Sequence, residues 1–197
     1  MTPAAARDVL TIGHSNLTAE RFIALLKDAG VTAIADVRSV PFSRWCPWFS
    51  GKALAERLAG EGIAYLALGD ALGGRPRDPK LYCDGIADYD AMAARPEFRA
   101  GLDRVVEAMA HHRVCLLCAE REPLDCHRCL LVGRALAERG LAPGHIRADG
   151  AVEAHATTEE RLIRLAGSEA DLFRDPHARL AEAYRRRARA VATRLKA

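Results

Sequence analysis

The chain has 197 residues, half of them hydrophobic and only 6% aromatic, which suits one Ala/Leu-rich α/β domain rather than a β-sandwich. No run approaches eighteen consecutive apolar residues, which excludes a membrane-spanning helix, and MTPAAARDVL lacks the basic and apolar regions of a secretory signal. Net charge is +3, but residues 174–197 carry 8 basic and 2 acidic side chains (+6), leaving 21 basic against 24 acidic (−3) elsewhere; net charge therefore argues for nucleic-acid binding only through the tail.

In chain order, the apolar run Val9 to Gly13 predicts a first strand. His14, Ser15 and Asn16 follow, and Thr18 caps a helix whose inward face is Phe22, Leu25, Leu26 and Ala29, stopped by Gly30. Val31 to Val37 is the second strand. Residues 38–49 are broken by Pro41 and Pro47. Ser50 caps a second helix through Leu58, and Ile63 to Leu68 is the third strand. The stretch GDALGGRPRDPKLYCDG is too long for a simple turn. A helical region between Asp88 and His112, interrupted at Pro96, leads to a fourth strand, Val114 to Cys118. After the loop Arg121 to Asp125, Leu130, Leu131, Leu136 and Ala137 return at helical spacing until Gly140. A brief fifth strand over Gly144 to Arg147 and a helix over Thr157 to Ala166 complete the domain. The order implies a mainly parallel sheet of about five strands flanked by helices on both faces, residues 1–170, with a basic helical extension over 171–197.

In the extension, Leu180, Tyr184, Ala188, Val191 and Leu195 form one stripe, with the arginines mostly off it. That predicts a helix docked on the domain or on a second copy of the chain, with phosphate-backbone binding as the alternative.

Polar residues cluster where the strands end. They are His14, Ser15 and Asn16 after the first; Asp36 and Arg38 around the second; Gly73, Gly74 and Arg75 after the third; and Cys118, Glu120, Cys126, His127 and Arg128 after the fourth. In a parallel sheet all four sets share one edge, the usual ligand crevice. Each set also has a plain structural explanation. Asp36 and Arg38 suit a structural ion pair as well as an anion clamp, His14 and Asn16 suit helix capping, and Gly73–Gly74 suits a tight turn. Neither a dinucleotide fingerprint nor a Walker-type lysine motif opens a helix.

Six cysteines occur, at 46, 83, 115, 118, 126 and 129. Their placement in a strand and a helix is poor disulfide architecture, so reduced thiols and a cytoplasmic location are expected. Cys115 reads as core. Cys126, at a helix start beside His127 and Arg128, is a better nucleophile than Cys118, which is followed by Glu120 and Glu122. The spacing C-x7-C-H-x-C matches no common zinc pattern, so no metal or other cofactor is assigned. Trp45 and Trp48, beside Arg38 and Arg44, either cover the core or stack on a planar substrate.

TIGHSN at 11–16, DVRSVPFSR at 36–44, LGGR at 72–75 and LLCAE…CHR at 116–128 resemble the domain of unknown function 488 family over roughly residues 9–147. The resemblance implies a small cytosolic α/β protein and supports the site without naming a reaction. The expectation is an enzyme acting on an anionic, phosphate-bearing substrate, with nucleotide or nucleic acid among the candidates. Glu120, Cys126, His127 and Asp36 would act in catalysis. His14, Ser15, Asn16, Arg38, Gly73, Gly74, Arg75, Cys118 and Arg128 would bind the anion, with Trp45 and Trp48 as stacking groups. The alternatives are a non-catalytic nucleic-acid or nucleotide-binding module and a metal-binding protein. No membrane partner is expected; a homodimer is compatible with the last helix.

Overall fold

The computed structural model describes residues 9–167 and 175–195. The opening decapeptide's first eight residues and the expected boundary at 170/171 lie outside the described residues. Six strands form the main sheet in the order β3-β2-β6-β1-β7-β8. They are β1 (Leu10–Gly13), β2 (Ala33–Asp36), β3 (Ala64–Ala67), β6 (Val114–Cys118), β7 (Gly144–Ile146) and β8 (Val152–Ala154). All pairings are parallel except β7 with β8. β8 is the strand beyond the expected five: VEA is short and half polar, so periodicity gave no sign of it. A small hairpin, β4 (Tyr82–Cys83) and β5 (Ile86–Ala87), lies in the long Gly/Pro-rich connection.

The sheet splits the core by side-chain alternation. Leu10, Ile12, Ile34, Cys115 and Leu117 face α1 (Ala19–Asp28) and α2 (Gly51–Gly60), whose Phe22, Leu26, Leu54 and Leu58 are fully buried. Each such side chain contributes about 1.5–3 kcal/mol of transfer free energy. Ala33, Ala35, Val114 and Leu116 face the other layer, built mainly from α5 (Pro96–Met109), a π-helical turn (Arg128–Gly133) running into α6 (Arg134–Ala137), α7 (His155–Leu165) and α8 (Pro176–Val191). Two shorter helices, α3 (Gly69–Leu72) and α4 (Tyr89–Ala93), bracket the hairpin. Thr18 caps α1 by accepting from the Arg21 amide, whereas Ser50 precedes α2 without a side-chain cap bond.

β1 leads away through α1 on one face, and β6 leads away through the π turn on the other. Their neighbouring carboxyl ends are therefore the topological switch point, where the diverging connections leave a crevice.

α8 is part of the domain. Ala183, Tyr184 and Ala188 are buried in the second layer, and residues 193–195 continue to the hairpin, where Ala87 N–H bonds the Thr193 carbonyl and Leu195 N–H the Gly85 carbonyl. The expected stripe holds through Val191; Leu195 is half exposed. Among the described residues no helix is long and apolar enough to cross a membrane.

A buried polar chain ties α7 and α8 to the sheet. It links Thr11, His145, His155, Tyr184 and Glu159 at 2.8, 3.1, 3.0 and 2.9 Å. One direction satisfies every member: each donor points on toward the Glu159 carboxylate, with both imidazoles neutral. Burial holds the His155 pKa near 4, below its ordinary 6.5. A folded-state pKa below the unfolded value gives stability that is complete above about pH 6.5 and is lost as pH falls toward 4. Between about pH 7 and 5.5, His155 alone is expected to cost about 1 kcal/mol. Urea unfolding across this window checks it, and His155→Gln should flatten that part of the slope.

Candidate functional site

A cavity of about 330 Å³ opens at the carboxyl ends of β1, β2 and β6. It gathers His14, Arg38, Gly74, Arg75, Cys118, Glu120, Cys126 and His127 from all four strand-end clusters. Five of the other expected residues sit away from its lining. Ser15, in a left-handed conformation (φ 45°), and Asn16 tie the β1 loop to the β6 loop: the Ser15 amide bonds the Ala119 carbonyl, and Asn16 accepts from Arg121. Neither His14 nor Asn16 caps α1. Gly73 lines the neighbouring cavity of about 290 Å³. Asp36 and Arg128 are buried beneath the site.

Both tryptophans also lie outside the cavity lining. Trp48 donates its indole N–H to the Leu17 carbonyl and packs on the α1–α2 core, while Trp45 is exposed. The apolar wall comes from Val40 and Phe42 instead, and Val191 and Thr193 close it from the C-terminal segment. Val40 and Phe42 lie inside the DVRSVPFSR motif, where residue type alone does not separate a cavity wall from core. Val191 and Thr193 carry no local signal, because only the long-range return of the chain to the hairpin brings them there.

Arg38 is held rather than offered. Its Nε and one terminal nitrogen fork onto Asp36 at 2.8 and 2.5 Å, and its other terminal nitrogen bonds the Phe49 carbonyl at 2.8 Å and His14 Nε2 at 3.2 Å. Asp36 also accepts from the Arg38 amide and from Tyr65. His14 donates Nδ1–H to the Ser15 carbonyl, so Nε2 is the lone-pair nitrogen that receives Arg38. Burial and the adjacent guanidinium keep His14 neutral, with a pKa of about 4. Its ring stacks on Phe49 at 4.3 Å between centroids.

Arg128 is fully buried and donates to the Glu120 carbonyl and, at 2.9 Å, to the Arg121 carbonyl. It fixes the loop that carries Glu120. Arg75 is the contrast: exposed, with its backbone amide on Ser39 Oγ and its guanidinium in no hydrogen bond or ion pair with the described residues.

At the cavity floor the Sγ atoms of Cys118 and Cys126 approach one Glu120 carboxylate oxygen at 2.9 and 3.1 Å, and His127 Nδ1 at 3.6 and 3.9 Å. His127 Nε2–H donates to the Val37 carbonyl at 2.8 Å, which leaves Nδ1 as the nitrogen facing the sulfurs. Gly74 permits this placement, since a β-carbon there would lie 2.6 Å from His127 Cγ. Burial pushes the Cys118 thiol up, and neighbouring Cys126 and Glu120 push it further. Cys126 experiences the same burial, yet the hydrogen bond with the free thiol of Cys118, the charge of Arg128 and the His127 ring outweigh it and hold its thiol below the ordinary value. The Arg128 amide adds a 3.4 Å contact to that sulfur. For His127, burial is outweighed by Cys126 and the Val37 carbonyl, so its pKa is raised. Burial drives Cys115 and Cys129 upward, as expected of inert core thiols.

Residues 18–135, more than half of the chain, match the family model described as Domain of unknown function DUF488. The chain belongs to this family. No curated protein and no solved structure matches it. The DUF488 match is narrower than the span of the sequence resemblance: β1 and its His14 loop precede it, and β7 follows it.

Removing Arg38 should leave Asp36 as an uncompensated buried charge. Arg38→Ala is expected to cost about 3–5 kcal/mol in chemical denaturation, whereas Arg75→Ala should change stability by less than about 0.5 kcal/mol.

Proposed function

We propose that this DUF488 chain is an enzyme acting on a small anionic, phosphate-bearing molecule in the switch-point cavity. The observation that carries the reading is the meeting of two thiols, a carboxylate and an imidazole at the floor of a solvent-reachable cavity. Such groups seldom share one cavity for packing alone, and together they can move protons and bind electrophiles. The cavity's volume of about 330 Å³ lies at the lower end of the range for small-molecule sites, about 300–1,000 Å³.

Arg75 is the anion-recognising group in this reading, because its guanidinium is uncommitted while Arg38 and Arg128 are spent on the protein itself. Glu120, exposed on the cavity side of the cluster, is the proton carrier. Asp36 acts by positioning Arg38, and through it His14.

The alternative, a nucleic-acid-binding module that uses the basic helix, draws on Arg185, Arg186, Arg187 and Arg189. Those side chains are paired with Glu182, Asp125 and Asp84, which lowers the charge available to a phosphate backbone. The enzyme reading is the stronger for that reason.

Isothermal titration with inorganic phosphate and a nucleoside monophosphate at low ionic strength tests the proposal. Saturable binding is expected, weakened about tenfold or more in Arg75→Ala, because a charge-assisted bond contributes about 1.5–3 kcal/mol. Glu120→Gln should bind at least as well, since it removes a like charge. Equal affinity in Arg75→Ala and the parent chain would sink the reading. If nucleic acid binds instead, with a steep salt dependence lost in Arg185→Gln/Arg186→Gln/Arg189→Gln, the module reading replaces it.

A further inference from the structure

We infer that Cys118, Glu120, Cys126 and His127 form a binding site for a thiophilic divalent cation of the zinc type, with its open side toward the cavity. The inference extends the reading of this cavity as a working site but requires no anion to be bound there.

Four candidate ligand atoms, one from each residue, lie within 4.8 Å of one another. A tetrahedral zinc ion with Zn–S near 2.3 Å and Zn–N or Zn–O near 2.0–2.1 Å sets its ligand atoms about 3.3–3.8 Å apart. Of the sulfur–nitrogen separations, 3.6 Å falls within this range and 3.9 Å lies just above it. The sulfur–carboxylate separations, 2.9 and 3.1 Å, are about half an ångström short of the tetrahedral edge, and Glu120 is an exposed side chain with room to withdraw.

Charge points the same way. Two sulfurs converge on a single carboxylate oxygen, and each close approach requires either a proton or a cation between the groups. A divalent ion replaces the two thiol protons, which leave to solvent as the thiolates form. Two sulfurs, one nitrogen and one oxygen are also a donor set suited to zinc rather than to magnesium or calcium.

The surroundings are those a metal-bound histidine needs. His127 donates Nε2–H to the Val37 carbonyl, which fixes the ring with Nδ1 inward. The Arg128 amide points at Cys126 Sγ, and the buried Arg128 guanidinium offsets thiolate charge. Cys118, Cys126 and His127 are buried, while Glu120 faces solvent. Withdrawal of the exposed Glu120 would leave three enclosed protein ligands and one open position, the arrangement of a catalytic rather than a structural site. A second group, Cys129, His145 and His155, also lies close together. There, however, the imidazole nitrogens already have partners in the chain from Thr11 to Tyr184, so that group is accounted for without an ion.

The test uses the full chain purified without a histidine tag, incubated with zinc chloride, gel-filtered and analysed by inductively coupled plasma mass spectrometry. About one zinc per chain is expected, with Co2+ in its place giving thiolate-to-metal charge transfer and the intense visible bands of tetrahedral coordination. Cys118→Ser and Cys126→Ser should fall below about a tenth of an equivalent, while Cys129→Ser and Arg75→Ala keep the full content. Glu120→Gln, at an exposed position, should retain the fold and lose zinc more readily to a chromogenic chelator. Retention of less than about a tenth of an equivalent by the parent chain, or a Co2+ spectrum without sulfur charge transfer, overturns the inference. So does a Cys126→Ser chain that keeps its zinc. Zinc held by a chain that binds no phosphate upholds the metal site and sinks the anion reading alone.

Discussion

The site depends on one buried cation. Arg128 lies at the start of the π-helical turn with no solvent exposure, and its guanidinium reaches back to the carbonyls of Glu120 and Arg121. The same residue's amide contacts Cys126 Sγ. One side chain therefore locks the loop after β6 onto the turn that carries Cys126 and His127. Gly13 completes the lock from β1, since a β-carbon there would fall 1.7 Å from the Glu120 carbonyl oxygen and 2.9 Å from Arg128. A buried guanidinium is costly to desolvate, and Arg128 Nε has no hydrogen-bond partner among the described residues, a further cost of about 1–3 kcal/mol. In return the Arg128 guanidinium ties two successive loop carbonyls to the turn.

Three arginines follow or begin the elements that converge on the site, and their sequence positions suggest equal roles. Burial separates them. Arg38 is neutralised by Asp36 and holds His14 by its lone pair; Arg128 serves carbonyls; Arg75 alone carries an uncommitted charge to the cavity. A guanidinium has five N–H donors in a fixed fork, so a buried one is consumed by whatever acceptors lie beside it. Sequence position brings the residue to the sheet edge, but the number of nearby acceptors decides whether it serves the fold or a ligand.

This explains which parts were legible beforehand. Strands such as Val114–Cys118 and the inward face of α1 are set by local periodicity, and so is the parallel order that brings the four polar clusters to one edge. Eight of the residues expected there do meet in one cavity. What could not be read was long-range or rotational. The direction of the Trp48 indole toward Leu17, the return of residues 193–195 to the β4–β5 hairpin and the inward turn of Arg128 all depend on contacts between distant segments. The convergence of Cys118, Cys126 and His127 was likewise illegible, since their spacing lacks the close C-x2–4-C and H-x3–5-H pairs that mark common zinc sites. Here the two halves of the cluster come from a strand end and a helix start, joined through a 3-10 turn (Pro123–Asp125).

Directly after His127 the chain enters the π-helical turn. Over Arg128–Gly133 the backbone is wider than an α-helix, and such turns persist where the extra width serves a side-chain placement that regular spacing would deny. Cys126 is extended (φ −138°, ψ 138°) and His127 is already helical (φ −60°, ψ −24°). That change of conformation between neighbours brings two consecutive side chains to one cluster, Cys126 Sγ to the Glu120 oxygen and His127 Nδ1 to the Cys118 sulfur. Within regular helix they would diverge by about 100°. The buried Arg128, which fixes the Glu120 loop, and the glycine at 74 that admits the His127 ring thus serve one placement, two sulfurs, a nitrogen and an oxygen within 4.8 Å of one another.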